Sequence, residues 1–301
     1  MEKFKDKYLE IRQGVRALCD QFPAEYHRKI DAEKEYPEDF VEALTKEGWM
    51  SALIPEDYGG SGLNLTAATV IMEEINRAGG NSGACHGQMY NMNTLVRFGS
   101  KEQREKYLPK IAKGELRLQS MGVTEPTTGT DTTKIKTKAV KKDDRYVING
   151  QKVWISRVQH SDLMILLART TPLEEVSKKS DGLSIFLVDI KSAMKTGMAV
   201  RPIQNMVNHE TNELFFENLE IPSENLIGEE GKGFKYILTG RVLFLISICA
   251  KVGVLDSMTS IRVLLSNLGL MIVALFSPWS FKMLLRLKLM FFTCRLTLVR
   301  I

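Results

Sequence analysis

Paired cysteine is the first thing this chain lacks. Its four cysteines, Cys19, Cys85, Cys249 and Cys294, are scattered over 301 residues and none forms a C-x-x-C pair. A disulfide framework and a zinc site built on cysteines are excluded, and a reducing compartment fits. Histidine is equally sparse. His160 and His209 have no metal-ligand spacing and read as loop or surface residues, so no metal site is expected. The N-terminus, M-E-K-F-K-D-K-Y-L-E, has no apolar run and so is no secretory leader; its acids also argue against a mitochondrial presequence. Glutamate is missing from residues 241–301, where Asp256 is the one acid against eight basic residues. The formal charge of +5 therefore belongs to that apolar stretch. It forms no basic cluster, so no nucleic-acid partner is expected.

What is present is ordinary globular material, 44% hydrophobic and 26% charged, long enough for two or three domains. Phe4, Tyr8, Ile11, Val15 and Leu18 recur at helical spacing. Tyr36-Pro37-Glu38 opens a second helix through Phe40, Val41 and Leu44 that ends at Gly48. Trp49 to Leu63 is an apolar run broken by proline and glycine, read locally as a connecting loop. Leu65–Arg77 is a further helix with Ala68, Ile71, Met72 and Ile75 on one face. Ser100 followed by Gln103 forms a capping box at the head of the helix running to Glu115. Cys85-His86 invites a nucleophile reading, but adjacent helical side chains diverge, so catalysis by this pair is not expected.

After Asp131 the apolar period shortens towards two. Strands are expected over Lys134–Val140, Arg145–Ile148, Lys152–Ser156, Leu163–Ala168, Leu183–Asp189, Met198–Pro202 and Asn212–Leu219. Hairpin-type turns are expected at Asp143-Asp144 and Asn149-Gly150, with a polar loop from Thr170 to Asp181. A helical block thus precedes a strand block. Trp154 lies in an alternating strand, and the pattern alone assigns it to core packing.

The organising stretch is Met121 to Asp131, M-G-V-T-E-P-T-T-G-T-D. Pro126 removes a backbone donor, Gly129 permits close backbone approach, and four threonines offer hydroxyls. Composition alone is equally satisfied by a strand-to-loop turn. The stretch resembles the flavin signature T-E-P-x-x-G-[ST]-D of the acyl-CoA dehydrogenase family, matching at Gly122 to Glu125 and Gly129 to Asp131. It departs at Thr128 and Lys134, where the family has small residues. G-Q-K-V-W-I-S, Gly150 to Ser156, resembles the second family block at its usual distance. Residues Ile54 to Gly60 resemble the family's I-P-E-x-Y-G-G loop, and Asn218 to Gly233 its connector into the last domain.

The resemblance, covering about Leu9 to Gly240, implies an α+β fold. Its parts would be an N-terminal all-helical domain (1–119), a central flavin-binding β-domain (120–232) and an incomplete or replaced C-terminal helical bundle (233–301). It implies FAD as cofactor, an acyl-CoA thioester as substrate and an electron-transferring flavoprotein as electron acceptor. It also implies a homo-oligomer, usually a tetramer, and a cytoplasmic location, or the mitochondrial matrix in a eukaryote. Cofactor contacts fall on Met121, Val123, Thr124, Thr130, Trp154, Ile155 and Ser156. Trp154 would pack on the flavin, Thr124 would meet its pyrimidine edge, Ser156 would lie at N5, and Thr130 would also touch the acyl-CoA.

Beyond Gly240 the sequence departs from the family's amphipathic, Glu- and Arg-rich helix. The family's glutamate base lies in that last domain and has no counterpart here, so no catalytic residue is assigned; Asp256 reads as a helix N-cap. The uncharged interval Val263 to Phe281 resembles a membrane span in length, weakened by Gly269, Pro278 and Ser266-Asn267. Impaired catalysis is expected. The alternatives are a non-catalytic remnant that binds flavin or a partner, or membrane association through the apolar tail.

Overall fold

The computed structural model describes residues 7–239. Helices come first: α1 (Leu9–Cys19), α2 (Ala24–Glu33), α3 (Glu38–Lys46), α4 (Leu65–Arg77), α5 (Gly83–Phe98) and α6 (Lys101–Ala112). The apolar stripe of α4 predicts its boundaries correctly, and Asn64 caps it by accepting the Ala67 N–H at 3.0 Å. The capping box of α6 is formed: Ser100 Oγ accepts the Gln103 N–H at 3.1 Å, and Gln103 Oε1 accepts the Ser100 N–H at 3.0 Å. Gln103 also donates to the carbonyls of Glu224 and Leu226, so this cap ties the helical region to the strands. α2 escapes the apolar pattern because it buries none of its residues. Residues 49–63 hold two short 3₁₀ turns, Trp49–Ser51 and Glu56–Tyr58. Gly60 is obligatory there, since a Cβ would stand 2.2 Å from the Ile54 carbonyl oxygen.

Eight strands follow: β1 (Ser120–Gly122), β2 (Lys138–Lys142), β3 (Arg145–Ser156), β4 (Leu163–Arg169), β5 (Leu183–Asp189), β6 (Met198–Pro202), β7 (Thr211–Pro222) and β8 (Leu226–Ile227). A short helix α7 (Ile190–Thr196) joins β5 to β6. The sheet order is β6-β7-β3-β2-β4-β5-β8, with β1 parallel to β4. All seven residues of β4 are buried. Their alternation feeds two cores: Leu163, Ile165 and Leu167 pack with Leu95, Leu108 and Ile111 of the helices, while Met164, Leu166 and Ala168 pack with Tyr146, Phe186 and Phe216. This shared strand holds the helical and β regions together.

Two expectations fail on hydrogen bonding. Asp143-Asp144 is the β2–β3 turn, but Asn149-Gly150 is not a turn. Both stay in β3, paired to Lys138 and Phe216, and the extra residue lies opposite, in β7. There Asn218 is left-handed (φ 47), its N–H bonded to Asn149 Oδ1 at 2.9 Å, so Asn149 satisfies a bulge. The strand expected from Lys134 begins at Lys138. Thr132–Lys134 is a 3₁₀ turn, and the N–H groups of Lys136 and Thr137 are taken by the Glu125 carboxylate.

Residues 233–239 are helical. The expectations for the apolar tail, including the span at 263–281 and Asp256, lie outside the described residues. No helix among the described residues is long and apolar enough to cross a membrane.

Candidate functional site

The site is made by a second irregularity, this time on β3 itself. Lys152 pairs with Leu214 and Ile155 with Asn212, so three steps on β3 match two on β7. The surplus residue forces Trp154 into the left-handed region at φ 63. For a bulky side chain this conformation costs on the order of 1–3 kcal/mol and must be imposed by its surroundings. Val153 supplies one restraint, donating its N–H to the Thr124 carbonyl at 2.9 Å. The result corrects the core-packing reading: Trp154 is 55% exposed, between buried Val153 and Ile155. A bulge has turned the indole out of the sheet.

Beneath it, Lys152 is fully buried and fixes the Met121–Asp131 turn from below. Its Nζ donates to the Val123 carbonyl at 3.0 Å and to Glu125 Oε1 at 2.9 Å. Glu125, also buried, accepts the Lys136 and Thr137 N–H groups at 2.6 and 2.9 Å. Desolvation pulls the Lys152 ammonium down to a pKa of about 8, against the opposing charge of Glu125. Burial would raise the Glu125 carboxyl, yet Lys152 and the Lys136 amide hold it below the usual carboxylate range. The pair sets Val123 and Thr124 opposite Trp154.

A cleft of about 330 Å³ opens between these strands and α5. Met121, Val123 and Thr124 line it from the turn, Trp154, Ile155 and Ser156 from β3 with Arg157 just beyond its end, and Phe234, Ile237 and Leu238 from the helical residues 233–239. The α5 wall is Gly83, His86, Gly87 and Tyr90. Cys85 and His86 diverge as expected: the Cys85 thiol is fully buried and pushed up to about 12, while His86 faces the cleft. No carboxylate lines the cleft among the described residues.

Ser156 is held by Asn208, itself left-handed (φ 58), whose Nδ2 donates to Ser156 Oγ at 3.0 Å and to Thr211 Oγ1 at 2.8 Å. The Ser156 oxygen is thereby occupied as an acceptor, which leaves its proton to donate into the cleft.

Six of the seven expected contact residues therefore converge: Met121, Val123, Thr124, Trp154, Ile155 and Ser156. Thr130 does not line the cleft and is exposed on the turn. Beside it, a Cβ on Gly129 would meet nothing within 4 Å, so the turn leaves room on that side. Sequence reasoning missed Lys152, Arg157 and Asn208. His160 is half-buried and stacks on Tyr36 at 4.1 Å, and His209 pairs with Asp31 at 3.1 Å, so both bridge elements instead of standing free on loops.

The arrangement fits a flat heteroaromatic cofactor. The Trp154 ring is exposed beside a part-polar, part-apolar cleft, with a serine hydroxyl aimed inward and a threonine on the opposite wall.

Comparison with known proteins agrees with this geometry. Residues 5–115 match the family model described as acyl-CoA dehydrogenase, N-terminal domain, and residues 120–219 match acyl-CoA dehydrogenase, middle domain. Cyclohex-1-ene-1-carbonyl-CoA dehydrogenase of Syntrophus aciditrophicus is 34% identical over 245 residues, 79% of this chain and 57% of that protein. The mitochondrial isovaleryl-CoA dehydrogenase of Oryza sativa is 33% identical over 79% of this chain and 58% of its own length. The acyl-CoA dehydrogenase of Geobacillus kaustophilus superimposes with a TM-score of 0.72 at 28% identity, over 81% of this chain and 64% of that one. The chain thus spans somewhat more than half the length of the curated relatives it matches. With both family domains matched in order and the paired motifs meeting at one cleft, this chain belongs to the acyl-CoA dehydrogenase family.

Proposed function

We propose that the described residues form the flavin-holding half of an acyl-CoA dehydrogenase site. The observation that carries this is Trp154: a strained bulge keeps a large aromatic ring in solvent, which is unfavourable unless a ligand covers it. Trp154 would stack on FAD, Thr124 and the Ser156 hydroxyl would meet polar edges of its ring, and Met121, Val123 and Ile155 would supply apolar contact. Thr130, on the open side of the turn, would serve a more distant part of the cofactor and the acyl-CoA. When bound, FAD supplies the acceptor for a hydride from the β-carbon of an acyl-CoA thioester.

The chain's own residues bind and orient. The Lys152–Glu125 pair holds the Thr124 wall, and Asn208 fixes Ser156. Loss of the α-proton needs a base within hydrogen-bonding reach, and positioned bases contribute on the order of 10²–10⁴-fold. The described cleft offers no carboxylate for this, which supports impaired turnover and keeps the second reading, a flavin-binding chain without catalysis. An electron-transferring flavoprotein is the proposed electron acceptor, and a homo-oligomer the proposed assembly.

The test is FAD-loaded protein mixed anaerobically with butyryl-, octanoyl-, palmitoyl- and isovaleryl-CoA. A shift of the oxidised flavin band without rapid bleaching is expected. Rapid bleaching would overturn the impairment, and no spectral response to any thioester would overturn the acyl-CoA reading.

A further inference from the structure

Arg157 directly follows three residues assigned to the cofactor, Trp154, Ile155 and Ser156, and nothing in that assignment uses it. It is left-handed (φ 61), with its N–H bonded to the Glu210 carbonyl at 2.9 Å. The residue is 9% exposed and lines the cleft. A buried guanidinium ordinarily pairs with a carboxylate. Among the described residues Arg157 has no ion-pair partner; its one side-chain hydrogen bond is a long one, 3.5 Å from Nη2 to Asn208 Oδ1.

Its position sharpens the contradiction. Helix α5 is hollowed at Gly83 to admit it: a Cβ there would lie 2.3 Å from Arg157 Nη2. Gly83 is the first residue of this 16-residue helix. The guanidinium therefore sits against the positive end of the helix dipole. The guanidinium and the helix dipole bring two positive centres to one side of the cleft, and among the described residues no carboxylate is paired with the guanidinium. An anion there would be met by the guanidinium and favoured by the dipole. Met121, Val123, Phe234, Ile237 and Leu238 give the rest of the cleft an apolar component.

We infer that Arg157 forms an anion subsite for a substrate with an apolar body and a terminal carboxylate, an acyl-CoA whose acyl chain ends in a second carboxyl group. Resting on the acyl-CoA reading above, this assigns a substrate class to the same cleft. Glycine at 83 makes room for the guanidinium, and the guanidinium selects the chain end.

The experiment measures binding of matched thioester pairs to the full chain loaded with FAD, by titration calorimetry. The pairs are succinyl- with butyryl-CoA, glutaryl- with pentanoyl-CoA, and adipoyl- with hexanoyl-CoA. For at least one length the dicarboxylic member should bind roughly ten- to hundredfold tighter, the scale of a charge-assisted hydrogen bond. That preference should weaken in high salt, vanish in Arg157→Met and survive in part in Arg157→Lys, while the monocarboxylic member changes less than about twofold. Equal binding of both members at every length by the parent protein refutes the subsite and leaves the acyl-CoA reading standing. Binding of neither member refutes both. The parent comparison decides the question even if Arg157→Met fails to fold.

Discussion

Among the described residues two buried carboxylates have cationic partners, and they differ in what surrounds them. In the helical region Glu74 joins α4 to α1, accepting from Arg16 at 2.6 Å on Oε2 and 2.9 Å on Oε1, and from Arg12 on the same Oε1. Both arginines reach solvent in part. In the β region Glu125 meets a lysine with no exposure at all, and the pair is completed by backbone groups of the turn it shapes. The first centre fastens two helices far from the cleft. The second positions a wall of the cleft. The same chemistry serves scaffold in one place and site in the other, and the dry one is where function is expected.

Breaking the dry centre should have the largest effect. Lys152→Met leaves Glu125 charged and buried, and removal of one partner of such a pair costs about 3–5 kcal/mol. Urea denaturation should show that loss, with a parallel loss of FAD binding as the Val123 carbonyl and Thr124 are freed. Glu74→Gln should cost less, about 1–3 kcal/mol, because Arg12 and Arg16 can turn towards water. FAD binding should stay unchanged. If Glu74→Gln weakened FAD as much as Lys152→Met, the division between scaffold and site would be wrong.

The two centres should also differ in pH dependence. Both carboxyls are held below the usual carboxylate range. For Glu74 burial acts upward and is outweighed by Arg16 and Arg12; for Glu125 it is outweighed by Lys152 and the Lys136 amide. Their stabilisation is present above the unfolded pKa, about 4.3, and is lost as pH falls through the folded value. Only the β centre should respond at alkaline pH. Lys152 is depressed to about 8 by burial, so between there and about 10.4 the unfolded chain binds more protons, and this group makes stability rise with pH. Arg12 and Arg16 are raised and stay charged: Arg12 is lowered by burial but raised more by Glu74 and Glu73, and Arg16 is raised chiefly by Glu74. Thermal melts across pH 7 to 10 should show an upward contribution in the parent that Lys152→Met lacks and Glu74→Gln keeps.

A smaller effect concerns the bulge. Trp154→Gly relieves a left-handed conformation, and the melting temperature should stay level or rise slightly, since the strain released, about 1 kcal/mol, is partly offset by glycine's chain entropy. A marked fall would mean that the indole packs in the fold and is not held out for a ligand.

Much of this was legible in the residues because it is local. The α4 boundaries follow from apolar residues three and four apart, the α6 start from Ser100 and Gln103, and β4 from the apolar run Leu163–Ala168. What escaped depends on pairing across long separations. Asn149-Gly150 has turn composition, and only Asn218 on a distant strand reveals that it faces a bulge. Lys152 looks like one of many lysines until Glu125, 27 residues earlier, is found beside it. Trp154 reads as core by alternation because a bulge cannot be seen in one strand's sequence. Arg157 carried no periodic signal; its meaning comes from Gly83 on α5.

The most direct measurement is FAD affinity of the full chain against Trp154→Ala, followed by quenching of flavin fluorescence, with circular dichroism confirming that both are folded. If the strained bulge presents the indole to a flavin, the variant should bind FAD at least tenfold more weakly while remaining as stable as the parent. Equal affinity in the two proteins would contradict the assignment of this cleft to the flavin ring.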